Sequence, residues 1–186
     1  RTNPGSGLIR MSAPSETTVS EGPSPGPKGA MPSKIVSGGQ TGVDRAALDV
    51  ALAVGMQCGG WVPRGRRAED GPLDAVYPMQ EMKSTDYAAR TRQNVIDSDA
   101  TLILTRGEPE GGTRETLLVA QELKRPYHIV DLKRTHSPLA ALRWLEAKRP
   151  DVLNVAGPRE STAPGIYAEA EALLGHLLQL AGNSKP

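Results

Sequence analysis

The sequence predicts an α/β protein: a Rossmann-like three-layer sandwich with a mainly parallel sheet of about five or more strands. Between residues 33 and 182, short apolar runs alternate five times with segments whose apolar residues recur every three or four positions. Glycine-rich turns follow three of these runs. Repeated strand–helix units form right-handed crossovers, so their strands lie parallel in one sheet.

Each element has a local signal in the chain. The run ATLILT at 100–105 is the clearest strand, and KIVSG at 34–38 precedes a helix with a regular alanine and valine face. Prolines and charged residues between 62 and 82 predict a long loop, after which Ser84 is an N-cap candidate. The predicted strands are 34–38, 56–61, 100–105, 127–132 and 152–157, and the predicted helices are 42–54, 85–96, 113–123, 138–148 and 165–181.

The folded part of the chain is expected to be a single ligand-binding domain at 33–182. Half of the positions in 1–32 are Gly, Pro or Ser, which predicts a disordered tail or an added segment. Residues 183–186 are expected to be a disordered end. Because the chain does not start with Met, we expect a fragment or added residues, with Met11 or Met31 as a native start.

The composition of the chain argues against several classes of function. A net charge of +1, with two Trp, four Tyr and no Phe, argues against a nucleic-acid partner. A single cysteine excludes a disulfide framework, and no apolar run suits a membrane span or a signal peptide, so we expect a cytoplasmic protein without membrane contact. The histidines at 128, 136 and 176 lack metal-ligand spacing, and no nucleophile motif is present. Neither a metal site nor a catalytic residue is therefore predicted.

Three glycine-rich loops carry the predicted site. In this fold, each strand-to-helix loop lies at the carboxyl edge of the sheet. Glycine lets backbone N–H groups approach a ligand, and a helix N-terminus favours an anion, above all phosphate. Each loop alone also fits a simple turn with a helix cap, but three at one edge favour a ligand site. The loops are Gly38-Gly39-Gln40-Thr41-Gly42, Gly111-Gly112-Thr113 and Gly157-Pro158-Arg159-Glu160-Ser161.

Charged side chains near these loops are further candidates. Arg64, Arg66 and Arg67 can bind phosphate or another oxyanion, or form a solvated charge run. Asp44, beside Arg45 at the start of the first helix, can match the helix dipole or accept a hydrogen bond from a ligand amine. The helix residues Arg90, Thr91 and Asn94 are interpreted as ties between their helix and its surroundings.

Five motifs run in order along the folded part: SGGQTGVDRAALD, GGWVPRGRRAEDG, YAARTRQNVIDSDATLI, EGGTRET and LNVAGPRES. Together they resemble the molybdenum carrier family, which comprises the molybdenum cofactor carrier proteins and their bacterial relatives. More distantly, the chain is similar to lysine-decarboxylase-like phosphoribohydrolases. The resemblance implies a Rossmann-like homo-oligomer that binds molybdenum cofactor (molybdopterin), with molybdoenzymes or cofactor-synthesis proteins as partners.

The resemblance also implies how the loops meet this ligand, which has a terminal phosphate and an anionic oxo-metal end. The phosphate would lie on the first or the second glycine-rich loop, and the arginine cluster would face the metal. The residues implied are Gly39, Thr41 and Gly42 or Gly111, Gly112 and Thr113 for the phosphate, and Arg64, Arg66 or Arg67 for the oxo-metal end.

Two functions remain open at this point. The first is a non-enzymatic carrier that binds and protects or shuttles the cofactor. The alternative is a nucleotide-monophosphate-binding enzyme or sensor, such as a phosphoribohydrolase-like hydrolase. The chain departs from the hydrolase motif, because its Gly-Gly-Thr run lacks one intervening residue and a glycine, and Thr116 replaces a second glutamate. The position of Glu115 distinguishes the two functions, because hydrolysis requires its carboxylate to point into the site beside Gly111.

Overall fold

The computed structural model describes residues 31–134 and 138–182. The predictions for the tail at 1–30, for His136 and for 183–186 lie outside these residues. Within them, strands and helices alternate along the chain except between the first and second helices, where four strands follow one another. The strands are β1 Lys34–Val36, β2 Gln57–Val62, β3 Arg67–Ala68, β4 Gly71–Pro72, β5 Met79–Glu81, β6 Ala100–Thr105, β7 Tyr127–Asp131 and β8 Val152–Ala156. The helices are α1 Val43–Ala53, α2 Tyr87–Ile96, α3 Gly111–Glu122, α4 Pro138–Lys148 and α5 Ile166–Gly182.

Six of these strands form one sheet in the order β5-β2-β1-β8-β6-β7. Every neighbouring pair in it is parallel. β1 lies near the middle, with Ile35 opposite Cys58 of β2 and Leu153 of β8. The predicted fold class, a Rossmann-like three-layer sandwich with a mainly parallel sheet, is confirmed.

Helices cover both faces of the sheet. α1, α4 and α5 pack on the apolar face, where Val43, Leu145 and Ile166 are completely buried. Because side chains alternate along a strand, Leu102 and Leu104 of β6 enter this core together. None of the helices in the described part of the chain has the length and apolar character needed to cross a membrane.

The face covered by α2 and α3 is more polar. Thr101 and Thr105 alternate with the core leucines of β6 and are buried beneath these two helices. Asn154 of β8 is buried beside them, and its Nδ2 donates to Thr101 Oγ1 over 3.3 Å. The apolar cluster between α2 and α3 is small and consists of Val95, Val119 and Ala120. Buried polar groups therefore concentrate between this face and the carboxyl ends of β6 and β8.

The segment at 62–82 differs from the predicted loop. It contains β5, which extends the sheet by pairing with β2, and a hairpin formed by β3 and β4. β5 has three residues and no apolar alternation, so only its pairing reveals it.

The N-cap of α2 also differs from the prediction, since it is Asp86 and not Ser84. The Asp86 carboxylate accepts from Ala88 N over 2.9 Å, while Ser84 Oγ accepts from Asp86 N over 3.0 Å. The prediction of Ser84 as the cap is therefore wrong by two residues, because the helix begins at Tyr87 and the side chain of Asp86 accepts from the free N–H group of its second residue.

Candidate functional site

A polar cavity of about 680 Å³ opens at the carboxyl ends of β1, β8 and β6. This is where the strand order reverses: from β1 the chain first builds towards β2 and β5, and later places β6 and β7 on the opposite side. Ligands of doubly wound sheets bind at such a reversal. The cavity is bounded by the first turns of α1 and α3, by α2, and by the loop after β8.

The second glycine-rich loop faces this cavity directly. Gly111 and Gly112 begin α3, and a Cβ atom placed on either would meet no atom within 4 Å. The preceding residue, Glu110, makes no side-chain capping hydrogen bond. Thr113 lies buried one residue further along the cavity wall. The N-terminus of α3 therefore presents uncapped backbone N–H groups to open space, which suits a bound anion.

The glycines of the first loop serve close packing. A Cβ on Gly38 would lie 1.2 Å from Nη1 of Arg90, so the guanidinium rests directly on this residue. A Cβ on Gly39 would lie 2.7 Å from Leu73 Cδ2, and one on Gly42 would lie 2.4 Å from Pro158 O. Gly38 lines the cavity, whereas Gly39 and Gly42 hold the surrounding segments together.

The third loop shows the same use of glycine. A Cβ on Gly157 would lie 2.4 Å from the carbonyl oxygen of Leu104, where β8 and β6 approach each other. The backbone of this loop then meets the first loop, because Val43 N donates to Pro158 O over 3.2 Å. Both Gly157 and Arg159 line the cavity, with Arg159 on its exposed side.

Arg90 and Asp44 form a buried ion pair in the cavity wall. Nη1 of Arg90 lies 3.3 Å from Oδ2 of Asp44, and their side chains are 12% and 8% exposed. Nε of Arg90 is buried and has no hydrogen-bond partner among the described residues. Burial raises the pKa of Asp44, and the positive charge of Arg90 opposes that rise. The guanidinium is thus partly neutralised, yet it keeps donors available to a ligand.

Further cations lie at the rim of the cavity. Arg106 is held by Glu169 of α5 through two hydrogen bonds of 3.0 and 2.7 Å. Lys133 is exposed and lines the same side. Glu108 and Glu110 place carboxylates at the mouth, so the rim carries both signs of charge. Positive charge is therefore concentrated at defined points, which favours an oriented anion over a diffuse anionic surface.

Amide side chains form the floor. Asn94 accepts from Trp61 N over 2.7 Å and donates to Trp61 O over 3.2 Å, so α2 is fastened to β2. This tie agrees with the structural role inferred for Asn94 from the sequence. Arg90, one turn earlier, has an additional role as a cavity residue. In the sequence, Arg90 lies four residues before Asn94 and therefore on the same face of the helix. That spacing does not distinguish a cavity residue from one that ties the helix to its surroundings.

The arginine cluster lies outside the cavity. Arg64 and Arg67 are exposed and do not line the cavity. Arg66 donates to Leu73 O over 2.9 Å and to Tyr77 O over 2.9 Å, so its guanidinium organises its own loop. The structure therefore does not bring these three side chains to the second glycine-rich loop.

Three other predicted residues also lie off the cavity. Arg45 pairs with Asp70 over 3.1 Å, and Thr41 donates to the carboxylate of Glu69. Glu115 is half-buried on α3 and is not part of the cavity wall. Gln40, by contrast, does line the cavity and is 7% exposed.

The donor set decides what kind of group fits. Within residues 31–134 and 138–182, no three His, Cys, Asp or Glu side chains converge as ligands for a metal ion. Uncapped N–H groups, an unpartnered guanidinium nitrogen and hydroxyl groups instead line the cavity. These are donors for phosphate or for a ligand-borne oxyanion.

The fold and the cavity define a class of protein: a doubly wound α/β domain with a polar ligand cavity at its strand-order reversal. The chain belongs to the Circularly permutated YpsA SLOG family, whose model matches residues 35–178. It is also similar to a crystal structure from Syntrophus aciditrophicus SB described as "Putative molybdenum carrier protein", with 45% identity and a TM-score of 0.77. That match covers 79% of this chain and 95% of the other. None of the curated proteins matches this chain. The resemblance inferred from the motifs is thereby confirmed.

Proposed function

We propose that this protein binds and carries molybdenum cofactor, an anionic pterin phosphate, in the cavity at the carboxyl edge of its sheet. The observation that carries the proposal is the open N-terminus of α3, where Gly111 and Gly112 face the cavity without a side-chain cap. A phosphate at such a position accepts hydrogen bonds from backbone N–H groups and is stabilised by the helix dipole. The name of the similar crystal structure supports the choice of cofactor.

The remaining cavity groups extend this proposal to the whole ligand. A volume of about 680 Å³ is within the usual range for small-molecule sites and accommodates a fused-ring ligand with its side group. The phosphate lies on Gly111, Gly112 and Thr113, where Arg90 supplies a charged donor. The cations Arg106 and Arg159 lie at the rim, where a second anionic group of the ligand can reach solvent.

Anaerobic titration of the purified protein with molybdenum cofactor tests the proposal. AMP is added as a competitor in a parallel titration, because the alternative ligand class is a nucleoside monophosphate. Saturable binding that AMP barely disturbs supports a pterin carrier. Binding displaced by stoichiometric AMP supports a nucleotide site and contradicts the carrier.

A pair of glycine variants identifies the binding loop. Gly112→Val places a side chain in the open space of the cavity. Gly175→Val, the control, places the same side chain in open space on α5, away from the cavity. Both sites accept a Cβ without a clash. We expect Gly112→Val to lose binding with its fold intact and Gly175→Val to bind like the unaltered protein. Equal affinities would contradict the placement of the phosphate at α3.

A further inference from the structure

A hairpin outside the cavity contacts the first glycine-rich loop. It consists of β3, the turn Glu69-Asp70 and β4, and we call it the hairpin. The Glu69 carboxylate accepts from the hydroxyl of Thr41, from Ser161 Oγ over 2.5 Å and from Ser161 N over 3.2 Å. Asp70 pairs with Arg45 of α1 over 3.1 Å. Both turn residues therefore join the hairpin to segments that border the cavity.

The backbone N–H of Glu69 also holds the amide of Gln40. Gln40 Oε1 accepts from Thr41 N over 3.1 Å and from the backbone N of Glu69 over 2.8 Å. Two N–H donors at one end define that end as the oxygen, so the NH₂ group occupies the other end. Gln40 is 7% exposed and lines the cavity, and its Nε2 has no hydrogen-bond partner among the described residues. A buried donor without an acceptor is unfavourable until a ligand supplies one.

We propose that Glu69 is a positioning residue for the ligand site: its carboxylate anchors the hairpin turn at Thr41 and Ser161, and its backbone N–H then holds the Gln40 amide so that the NH₂ group donates to an oxygen atom of the bound ligand. The inference rests on the proposed function, because it requires an oxygen-bearing ligand in the cavity. It adds that the ligand presents a phosphate, oxo or carbonyl oxygen at Gln40. A ligand N–H group or hydrocarbon at that position would leave the buried NH₂ group unpaired.

The rest of the arginine-rich segment supports the hairpin. Arg66 donates to the carbonyl oxygens of Leu73 and Tyr77, and the Tyr77 hydroxyl donates to Asp49 of α1 over 2.7 Å. The hairpin is thus fastened to the body of the domain at a point away from Glu69. The arginine-rich segment, whose charges suggested direct ligand binding, therefore contributes to the site by holding Glu69 in place.

Positioning and simple electrostatics predict opposite changes. Glu69 is negatively charged and lies near an anion site, so removing its charge alone would strengthen anion binding. Removing the carboxylate that anchors the turn at Thr41 and Ser161 would displace the Glu69 backbone N–H from Gln40 and would weaken binding. Loss of a hydrogen bond to a charged group corresponds to about a tenfold loss of affinity or more. The direction of the change therefore separates the two roles.

The test uses inorganic phosphate as the probe and ¹⁵N-labelled protein. Glu69→Ala is compared with Glu81→Ala, which removes a carboxylate of the same segment that accepts from Gly65 N. We expect Glu69→Ala to bind phosphate about tenfold more weakly and to shift the Gln40 side-chain amide signals even without ligand. We expect Glu81→Ala to stay within about twofold of the unaltered protein.

A second background shows whether Glu69 acts through Gln40. In Gln40→Met, Glu69→Ala should reduce phosphate affinity less than about threefold, because the group that Glu69 positions is gone. If Glu69→Ala does not fold, as judged by circular dichroism, Glu69→Leu replaces it with the same expectations, because leucine fills a similar volume without a hydrogen-bond acceptor. Phosphate affinity that is unchanged or increased in the Glu69 variant overturns the inference, as do unchanged Gln40 signals.

The outcomes separate this inference from the proposed function. The ligand-free Gln40 signals test the positioning role without any ligand. If these signals respond to Glu69 and phosphate binds while molybdenum cofactor does not, the carrier proposal fails and the positioning role stands. If the cofactor binds equally well to the unaltered protein and to Glu69→Ala, the carrier proposal stands and the positioning role fails.

Discussion

The buried pair of Arg90 and Asp44 allows the ligand role of Arg90 to be separated from its contribution to stability. At the observed separation of 3.3 Å, Coulomb attraction is about 5 kcal/mol with an effective dielectric constant of about 20. Desolvation of the two ions costs several kcal/mol each, so the intact pair contributes little net stability. Removing one partner leaves the other charge buried and uncompensated, which costs about 3–5 kcal/mol.

The perturbation is therefore a double-mutant cycle of Arg90→Met, Asp44→Asn and the double variant. We expect Arg90→Met to lower the free energy of unfolding by about 3 kcal/mol at pH 7, because Asp44 is left as a buried carboxylate. The double variant should recover most of this loss, since both charges are gone. Urea unfolding followed by circular dichroism measures these values.

Ligand affinity gives the second readout of the same cycle. The double variant should be stable but should bind phosphate at least about tenfold more weakly, because it lacks the guanidinium donor. A loss of stability below about 1 kcal/mol in Arg90→Met would refute the buried-pair argument. A stable double variant with unchanged phosphate affinity would refute the ligand role of Arg90.

Two further predictions concern the segment at 62–82. Desolvation raises the pKa of Glu69, but hydrogen bonds from Ser161 and Thr41 outweigh it and lower the pKa below the usual 4.5. Glu69 therefore stabilises the fold above pH 4.5 and loses this contribution as the pH falls through its lowered pKa. Glu69→Gln should then flatten the pH dependence of the free energy of unfolding in that acidic window. A variant with the same slope as the unaltered protein contradicts this. Burial and hydrogen bonding to Asp49 raise the pKa of Tyr77 to about 12. Tyr77→Phe should loosen the segment, seen as faster amide hydrogen exchange at 67–82 with unchanged exchange in β6; equal exchange throughout contradicts the fastening role.

The sheet was largely predictable because its signals are local. ATLILT matches β6 residue for residue, since a fully buried parallel strand is a continuous apolar run. The strand β5 was not predictable, because three residues with intermediate or exposed side chains carry no pattern. Its existence depends on hydrogen bonds with Gly60–Val62 of β2, which are contacts between distant parts of the chain.

The location of the site at the carboxyl edge of the sheet was predictable from the sequence, but the side chains that form it were not. The three glycine-rich loops follow β1, β6 and β8, which the sheet places next to one another. The arginine cluster follows β2 and also lies at that edge, yet Arg66 is satisfied by nearby carbonyl groups. Arg90 was interpreted as a structural tie because the sequence does not show which helix crosses the loop at Gly38.

The glycines show what their spacing in the sequence does not predict, namely whether a glycine is required by close packing or leaves room for a ligand. Gly38, Gly42 and Gly157 are required by neighbouring protein atoms, since a Cβ at any of them would collide with a side chain or backbone. Gly111 and Gly112 face empty space; the backbone of Gly111 has a φ of 49° that favours glycine, whereas neither packing nor backbone conformation explains Gly112. Both uses follow from the missing side chain, but only the second leaves room for a ligand. The first loop therefore contributes to the site indirectly: Gly38 makes space for Arg90, and the guanidinium, held by Asp44, provides the charge that the glycines of α3 lack.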